Sequence, residues 1–235
     1  MRLSPIQTAK KFVAEFYSRC EVAILGGSTG TGKGTETSDL DIVIFDFTLA
    51  STFRQSLKYE GWPIESFVYN NLENYRKFFE SDRRRCRPAL IRMVAEGIVL
   101  IDQGLANKLK TDAQSILDQG PEPWTMDQIN QARYMITDCL DDLIGCNHPE
   151  EEIFIVHRLC EVLYEFVMRT NNKWLGTGKW MYRTLERMNK PLCDQMASAF
   201  DHYYRTREKG SIIQLADDLL EPYGGRFFEG FCSGI

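Results

Sequence analysis

Val22-Ala-Ile-Leu-Gly-Gly-Ser28 runs as a short apolar strand into a glycine pair, and Asp39-Leu-Asp-Ile-Val-Ile-Phe-Asp-Phe47 resumes as a β-branched strand with carboxylates at its start. Between them, Gly26–Thr37 is rich in Gly, Thr and Ser and is expected to form no regular element. The segment from Gly27 to Lys33 matches the first seven positions of the phosphate-loop pattern G-x-x-x-x-G-K-[ST], but the eighth is Gly34, so the hydroxyl that would reach Mg²⁺ is missing. Such a loop must also open a helix, whereas Thr35, Glu36, Thr37 and Ser38 lead into a strand. The phosphate-loop reading is therefore set aside.

A second reading uses every part of the stretch. Residues two apart on a strand share a face, so Asp39 and Asp41 stand side by side while Leu40 points into the core. Two carboxylates held that close repel, and a hard cation such as Mg²⁺ removes the repulsion. Glu65, between Ile64 and Phe67 in the apolar run Trp62–Tyr69, offers a third carboxylate. Paired ions about 3.5–4 Å apart in such a cluster activate an attacking oxygen and neutralise a leaving group. Small residues around Gly27 and Ser28 let backbone N–H groups and a hydroxyl approach phosphates.

Outward from this centre, Ser4-Pro5 reads as N-cap and first turn of a helix with Ile6, Ala9, Phe12, Val13, Phe16 and Tyr17 at helical spacing. Phe53–Tyr59 reads as a short helix, and Trp62–Tyr69 as a strand whose Pro63 suits an edge or a first position. Leu72–Ala113 is mostly helical, with a short strand at Gly97–Ile101. After the turn-rich Gln119-Gly-Pro-Glu-Pro123, helices are predicted at Met126–Ile144, Glu150–Arg169, Lys179–Met188, Pro191–Arg205 and Ile212–Leu220. The fold class expected is α+β: a mixed β-sheet domain with flanking helices over residues 1–118, then a helical bundle over 124–235.

The 235 residues carry 43% hydrophobic, 12% aromatic and 26% charged side chains, which excludes wholesale disorder. A net charge of −5 lacks the basic footprint of a nucleic-acid binder, so nucleic acid is not an expected partner. No apolar run approaches the roughly 20 residues of a membrane span, and Lys10, Lys11, Glu15 and Arg19 do not suit a signal peptide. Seven cysteines, an odd number without a C-x-x-C pair, suit reduced thiols and a cytoplasmic location.

The pattern LGGS at 25–28, DLDI at 39–42 and IESF at 64–67 resembles the polymerase-β-like nucleotidyltransferase superfamily, whose members place h-G-[GS]-S, then [DE]-h-[DE]-h, then a third acid on a strand. The loop here is longer and richer in glycine than in many members, and the third acid is Glu rather than Asp. The resemblance implies that Asp39, Asp41 and Glu65 bind Mg²⁺, two ions in all, with Glu65 completing the metal site or acting as base. It implies that Gly27 and Ser28, with Ser38 beside them, hold the triphosphate of ATP or another NTP. The helical half is similar to that of small-molecule nucleotidyltransferases of the kanamycin and lincosamide type. That likeness implies nucleotidyl transfer to a small hydroxylated acceptor, and it allows a homodimer. Transfer to a protein, or a non-catalytic nucleotide sensor, are the alternatives.

In the helical half, Asp138 and Asp142 lie at i and i+4 on one helix face. By the same likeness Asp138, with Asp142 second, would take up the acceptor's proton; a solvated face, with Arg133 as a neighbour, is the plain alternative. Lys173 and Lys179 around a glycine-broken loop are candidates for phosphate contact, as is Arg92 in the first domain. Trp174, Trp180, Tyr182 and His157 are expected in the core, Arg83, Arg84, Arg85 and Arg87 on a solvated face, and no cysteine is given a role.

Overall fold

The computed structural model describes residues 3–32 and 34–232 and divides into two compact units, Met1–Gly120 and Pro121–Ile235. The first opens with helix α1 (Pro5–Phe16), started by a reciprocal cap in which Ser4 and Gln7 satisfy each other's backbone N–H. Strand β1 (Val22–Leu25) follows, then a single helical turn, α2 (Gly27–Gly30), and strand β2 (Leu40–Phe45). Strands β3 (Phe53–Tyr59) and β4 (Trp62–Tyr69) form a hairpin. Helices α3 (Leu72–Arg84) and α4 (Ala89–Glu96), strand β5 (Ile98–Asp102) and helix α5 (Ala106–Gln119) complete the unit.

The five strands form one mixed sheet in the order β3-β4-β2-β1-β5, with only β2 and β4 parallel. Helices cover both faces, which is why β1 is buried at every position and shows no alternation of its own. On one face Ala9, Phe12 and Val13 of α1 pack on Ala23, Leu25, Leu40, Ile42, Ile44, Ile64 and Val68. On the other, Tyr75, Phe79, Leu90, Ile91, Val94 and Leu109 of α3–α5 pack on Val22, Ile24, Val43, Phe45 and Tyr69. Phe12, 1% exposed, is central enough that Phe12→Ala would cost about 3–5 kcal/mol.

The α+β class is as the sequence indicates, with three local departures. Phe53–Tyr59 is a strand, not a helix. Its side chains are mostly exposed because β3 is the sheet edge, so the apolar alternation that marks a strand is weak there. What fixes it is the turn: Glu60 and Gly61 both have positive φ (48° and 78°), and Tyr59 pairs with Trp62, giving a two-residue primed turn that matches strand twist. The Gly26–Thr37 segment is also not wholly irregular, since α2 closes one turn with Gly30 N–H donating to Gly26 O at 2.8 Å. Pro63 lies in an interior strand, yet the ladder to β2 begins only at Ile64, so on that side no donor is missed.

The second unit consists of α6 (Met126–Gly145), α7 (Pro149–Thr170), α8 (Lys179–Met188), α9 (Lys190–Thr206) and α10 (Gly210–Leu220), closed by a 3-10 turn at Glu221–Tyr223. Helix α6 packs along α7, and α9 against α8 and α10. A buried polar knot ties the helices together: Glu152 on α7 receives Lys209 at 2.6 Å and the Tyr203 hydroxyl at 2.9 Å, and Lys209 also donates to the carbonyls of Leu143 and Cys146. Those bonds hold the Glu152 carboxyl below its ordinary range, Lys209 first. None of the described helices is long and apolar enough to cross a membrane.

Candidate metal centre

Parallel pairing of β2 and β4 places Asp41 directly opposite Glu65. Leu40 and Ile42 bury against α1, so Asp41 points to the other face, and Glu65, between Ile64 and Ser66, does the same. Asp39 precedes the β2 ladder and joins them. One oxygen from each of the three carboxylates lies within 4.8 Å of the other two, and all three side chains are partly buried.

The loop that delivers these acids is held by its own hydroxyls. Ser38 Oγ, buried, accepts from the Thr35 N–H at 2.8 Å and from the Ser28 hydroxyl at 3.2 Å. The Thr29 hydroxyl donates to the Asp39 carbonyl at 3.0 Å, and the Gly26 N–H to the Asp41 carbonyl at 2.8 Å. Gly27 sits at φ +63°, and a Cβ built there would lie 1.9 Å from Asp41 Oδ2. That residue is glycine both for its conformation and because the Asp41 carboxylate fills the space a side chain would take.

Three carboxylates and no nitrogen or sulfur donor make an oxygen set suited to a hard divalent cation such as Mg²⁺. The cradle at Gly27 agrees, because it brings backbone against a carboxylate without an intervening side chain. The residues present therefore fit such an ion. Arg54 of β3 lies against this group, its Nη2 2.6 Å from Glu65 Oε2, and Ser56 Oγ lies 3.4 Å from Glu65 Oε1. Sequence reasoning missed Arg54 and Ser56 because it read their segment as a helix; the one available signal was Gly61, a turn residue directly before the Trp62–Tyr69 strand.

The structure thus brings together Asp39, Asp41, Glu65 and Gly27, with Ser28 and Ser38 joined to each other in the adjoining loop. Lys33 lies outside the described residues. Arg92, on α4, pairs with Glu96 at 3.3 Å. Asp138 and Asp142 are exposed on α6 of the second unit, and Lys173 and Lys179 are exposed around the loop before α8. Arg133 is not a partner of Asp138. It donates to the carbonyls of Gly224 and Gly225, while Tyr134 stacks on Phe231 at 4.1 Å and Thr137 Oγ1 accepts from the Phe227 N–H. That part of the Arg133–Asp142 motif grips the chain's closing segment. Trp174 is buried as expected, but His157 and Tyr182 are exposed, beside Glu161 and Glu186. Arg83, Arg84, Arg85 and Arg87 are exposed. All seven cysteines are free, and burial pushes Cys20 and Cys160 up to about 11, which keeps them as inert thiols.

No family model matches the chain, and no curated protein matches it. Among solved structures, it is similar to a nucleotidyltransferase-like protein from Exiguobacterium sibiricum 255-15. The likeness is slight, with 11% identity over 92% of this chain and 74% of that one and a TM-score of 0.47. A likeness that slight says nothing of activity, which has to be argued from the residues themselves.

Proposed function

We propose that the chain is a metal-dependent nucleotidyltransferase, moving a nucleoside monophosphate, AMP from ATP, onto a hydroxyl of a small antibiotic-like acceptor. The observation that supports this reading is the convergence of Asp39, Asp41 and Glu65 within 4.8 Å, beside a glycine whose side-chain space is taken by Asp41. Asp39, Asp41 and Glu65 would hold Mg²⁺, two ions. When bound, such ions lower the pKa of an attacking hydroxyl and neutralise the pyrophosphate that leaves.

The chain's own contribution is positional and electrostatic. Gly27 and Ser28 admit the triphosphate to the backbone, and the Ser28–Ser38 hydrogen bond keeps that loop in shape. Arg92, Lys173 and Lys179 supply cations to the phosphates. Asp138 takes the proton of the acceptor hydroxyl as the new O–Pα bond forms and the Pα–O bond to pyrophosphate breaks.

Mass spectrometry of the full chain with Mg·ATP and a pooled panel of hydroxylated small molecules, aminoglycosides and lincosamides included, tests the proposal. The expected result is one acceptor heavier by a nucleoside monophosphate. Added mass on a protein instead would move the acceptor class to proteins, and ATP binding without any adduct would make the chain a sensor rather than an enzyme.

A further inference from the structure

Glu65 has the longest side chain of the three carboxylates and therefore the most rotamer freedom to lose on becoming a ligand. Strand β3 meets it from the sheet edge. The antiparallel register sets Ser56 opposite Glu65 and Arg54 opposite Phe67, so these four residues share one face of the hairpin. Arg54 Nη2 lies 2.6 Å from Glu65 Oε2, and Ser56 Oγ 3.4 Å from Oε1, so each carboxylate oxygen has a hydroxyl or guanidinium neighbour on β3. The guanidinium is itself braced, its central carbon 4.9 Å from the centre of the Phe67 ring. The Arg54 side chain is 60% exposed, and an exposed ion pair contributes little to stability, about 0–1 kcal/mol. Stability therefore does not account for the arrangement.

We propose that Arg54 is a positioning residue for the metal centre. With Ser56 and Phe67 it holds the Glu65 carboxylate turned toward Asp39 and Asp41 before any ion arrives. The inference rests on the proposed metal centre and adds a residue to it. Hydrogen-bonded partners of ligating carboxylates typically change metal affinity by about 10–100-fold when removed. Simple charge repulsion between guanidinium and cation makes the opposite demand, that removing Arg54 tightens binding. The two accounts differ in sign.

Calorimetric titration of the full chain with Mn²⁺ alone, alongside thermal denaturation, separates them. Wild type binds; Arg54→Ala binds about 10-fold more weakly or worse, with its unfolding midpoint unmoved. Arg54→Lys falls between, because an ammonium keeps the charge but not the planar fork that meets both carboxylate and ring. Arg54→Ala binding as tightly as wild type or tighter, or Arg54→Lys matching wild type, overturns the inference while leaving the metal centre in place. A midpoint that falls in step with affinity assigns Arg54 to the fold and overturns it too. A wild-type chain that takes no Mn²⁺ removes the metal centre itself.

Discussion

Gly27→Ala is the substitution whose consequence can be worked most directly from the structure. The methyl group would fall 1.9 Å from Asp41 Oδ2, and contacts of this kind are not tolerated below about 3 Å, so about 1 Å of movement is required. The backbone is not free to supply it, because Gly26 N–H is bonded to the Asp41 carbonyl and Gly30 N–H to the Gly26 carbonyl. The carboxylate must move instead, away from the position it shares with Asp39 and Glu65. The left-handed φ adds about 1–2 kcal/mol for a residue with a Cβ. Gly32 provides the matched control: its φ is +72°, and nothing among the described residues lies within 4 Å of a Cβ built there. Gly32→Ala should therefore lose about 1–2 kcal/mol of stability and keep its Mn²⁺ affinity. Gly27→Ala should lose at least as much stability and, with a ligand displaced by about 1 Å, on the order of 100-fold in metal-dependent turnover. Urea denaturation and Mn²⁺ titration of the two variants side by side make the comparison. Equal metal affinity in both would refute the claim that Gly27 is there to make room for Asp41.

Other expectations rest on the same geometry. Asp41→Asn removes a ligand, so pyrophosphate release should cease while the fold is kept; unchanged release would sink the metal assignment. Asp138→Asn should slow transfer and leave ATP affinity unchanged, since Asp138 is assigned to the proton and not the phosphates; equal loss of ATP binding would remove it as the base. Glu152→Gln should cost about 2 kcal/mol, less than the usual penalty for breaking a buried pair because Lys209 keeps two carbonyl partners. Because Lys209 and Tyr203 hold the Glu152 carboxyl low, its contribution is present above about pH 4.3, the unfolded value, and fades as pH falls through the folded one. Urea midpoints of wild type and Glu152→Gln should thus draw together as pH falls below about 4.3, and a gap that stays constant on acidification would contradict the assignment.

Much of the first unit was legible because its signals are local. The Ser4 cap, the two glycines ending β1 and the alternation Leu40-Asp41-Ile42 each depend on neighbours in sequence, and each appears where those neighbours predict. Strand β3 was not legible from hydrophobic pattern, since an edge strand with both faces largely solvated needs no apolar alternation. Missing β3 hid Arg54, although the turn at Glu60-Gly61 carried the information in backbone form. In the second unit the helices were readable from period, but which face of α6 is occupied was not. Arg133, Tyr134 and Thr137 are taken up by residues 224–231, some ninety positions away, and nothing local announces a partner that distant.

The carboxylate cluster shows why the legible part sufficed for a site. Acid identity came from sequence, but proximity comes from register: a slip of one residue between β2 and β4 would send Glu65 to the α1 face and leave Asp41 opposite Ile64 or Ser66. That slip is blocked by the flanking side chains. Ile64, Ser66 and Val68 are at most 1% exposed on the α1 side, and exchanging them with Glu65 and Phe67 would bury a carboxylate beneath α1 while turning Ile64 and Val68 out of that core. At about 1.5–3 kcal/mol for each large apolar side chain displaced, and more for a buried carboxylate without a partner, the wrong register is excluded by several kcal/mol. The apolar residues on one face of β4 therefore fix where the acid on its other face stands, and the geometry of the candidate metal centre is set by packing that never touches it.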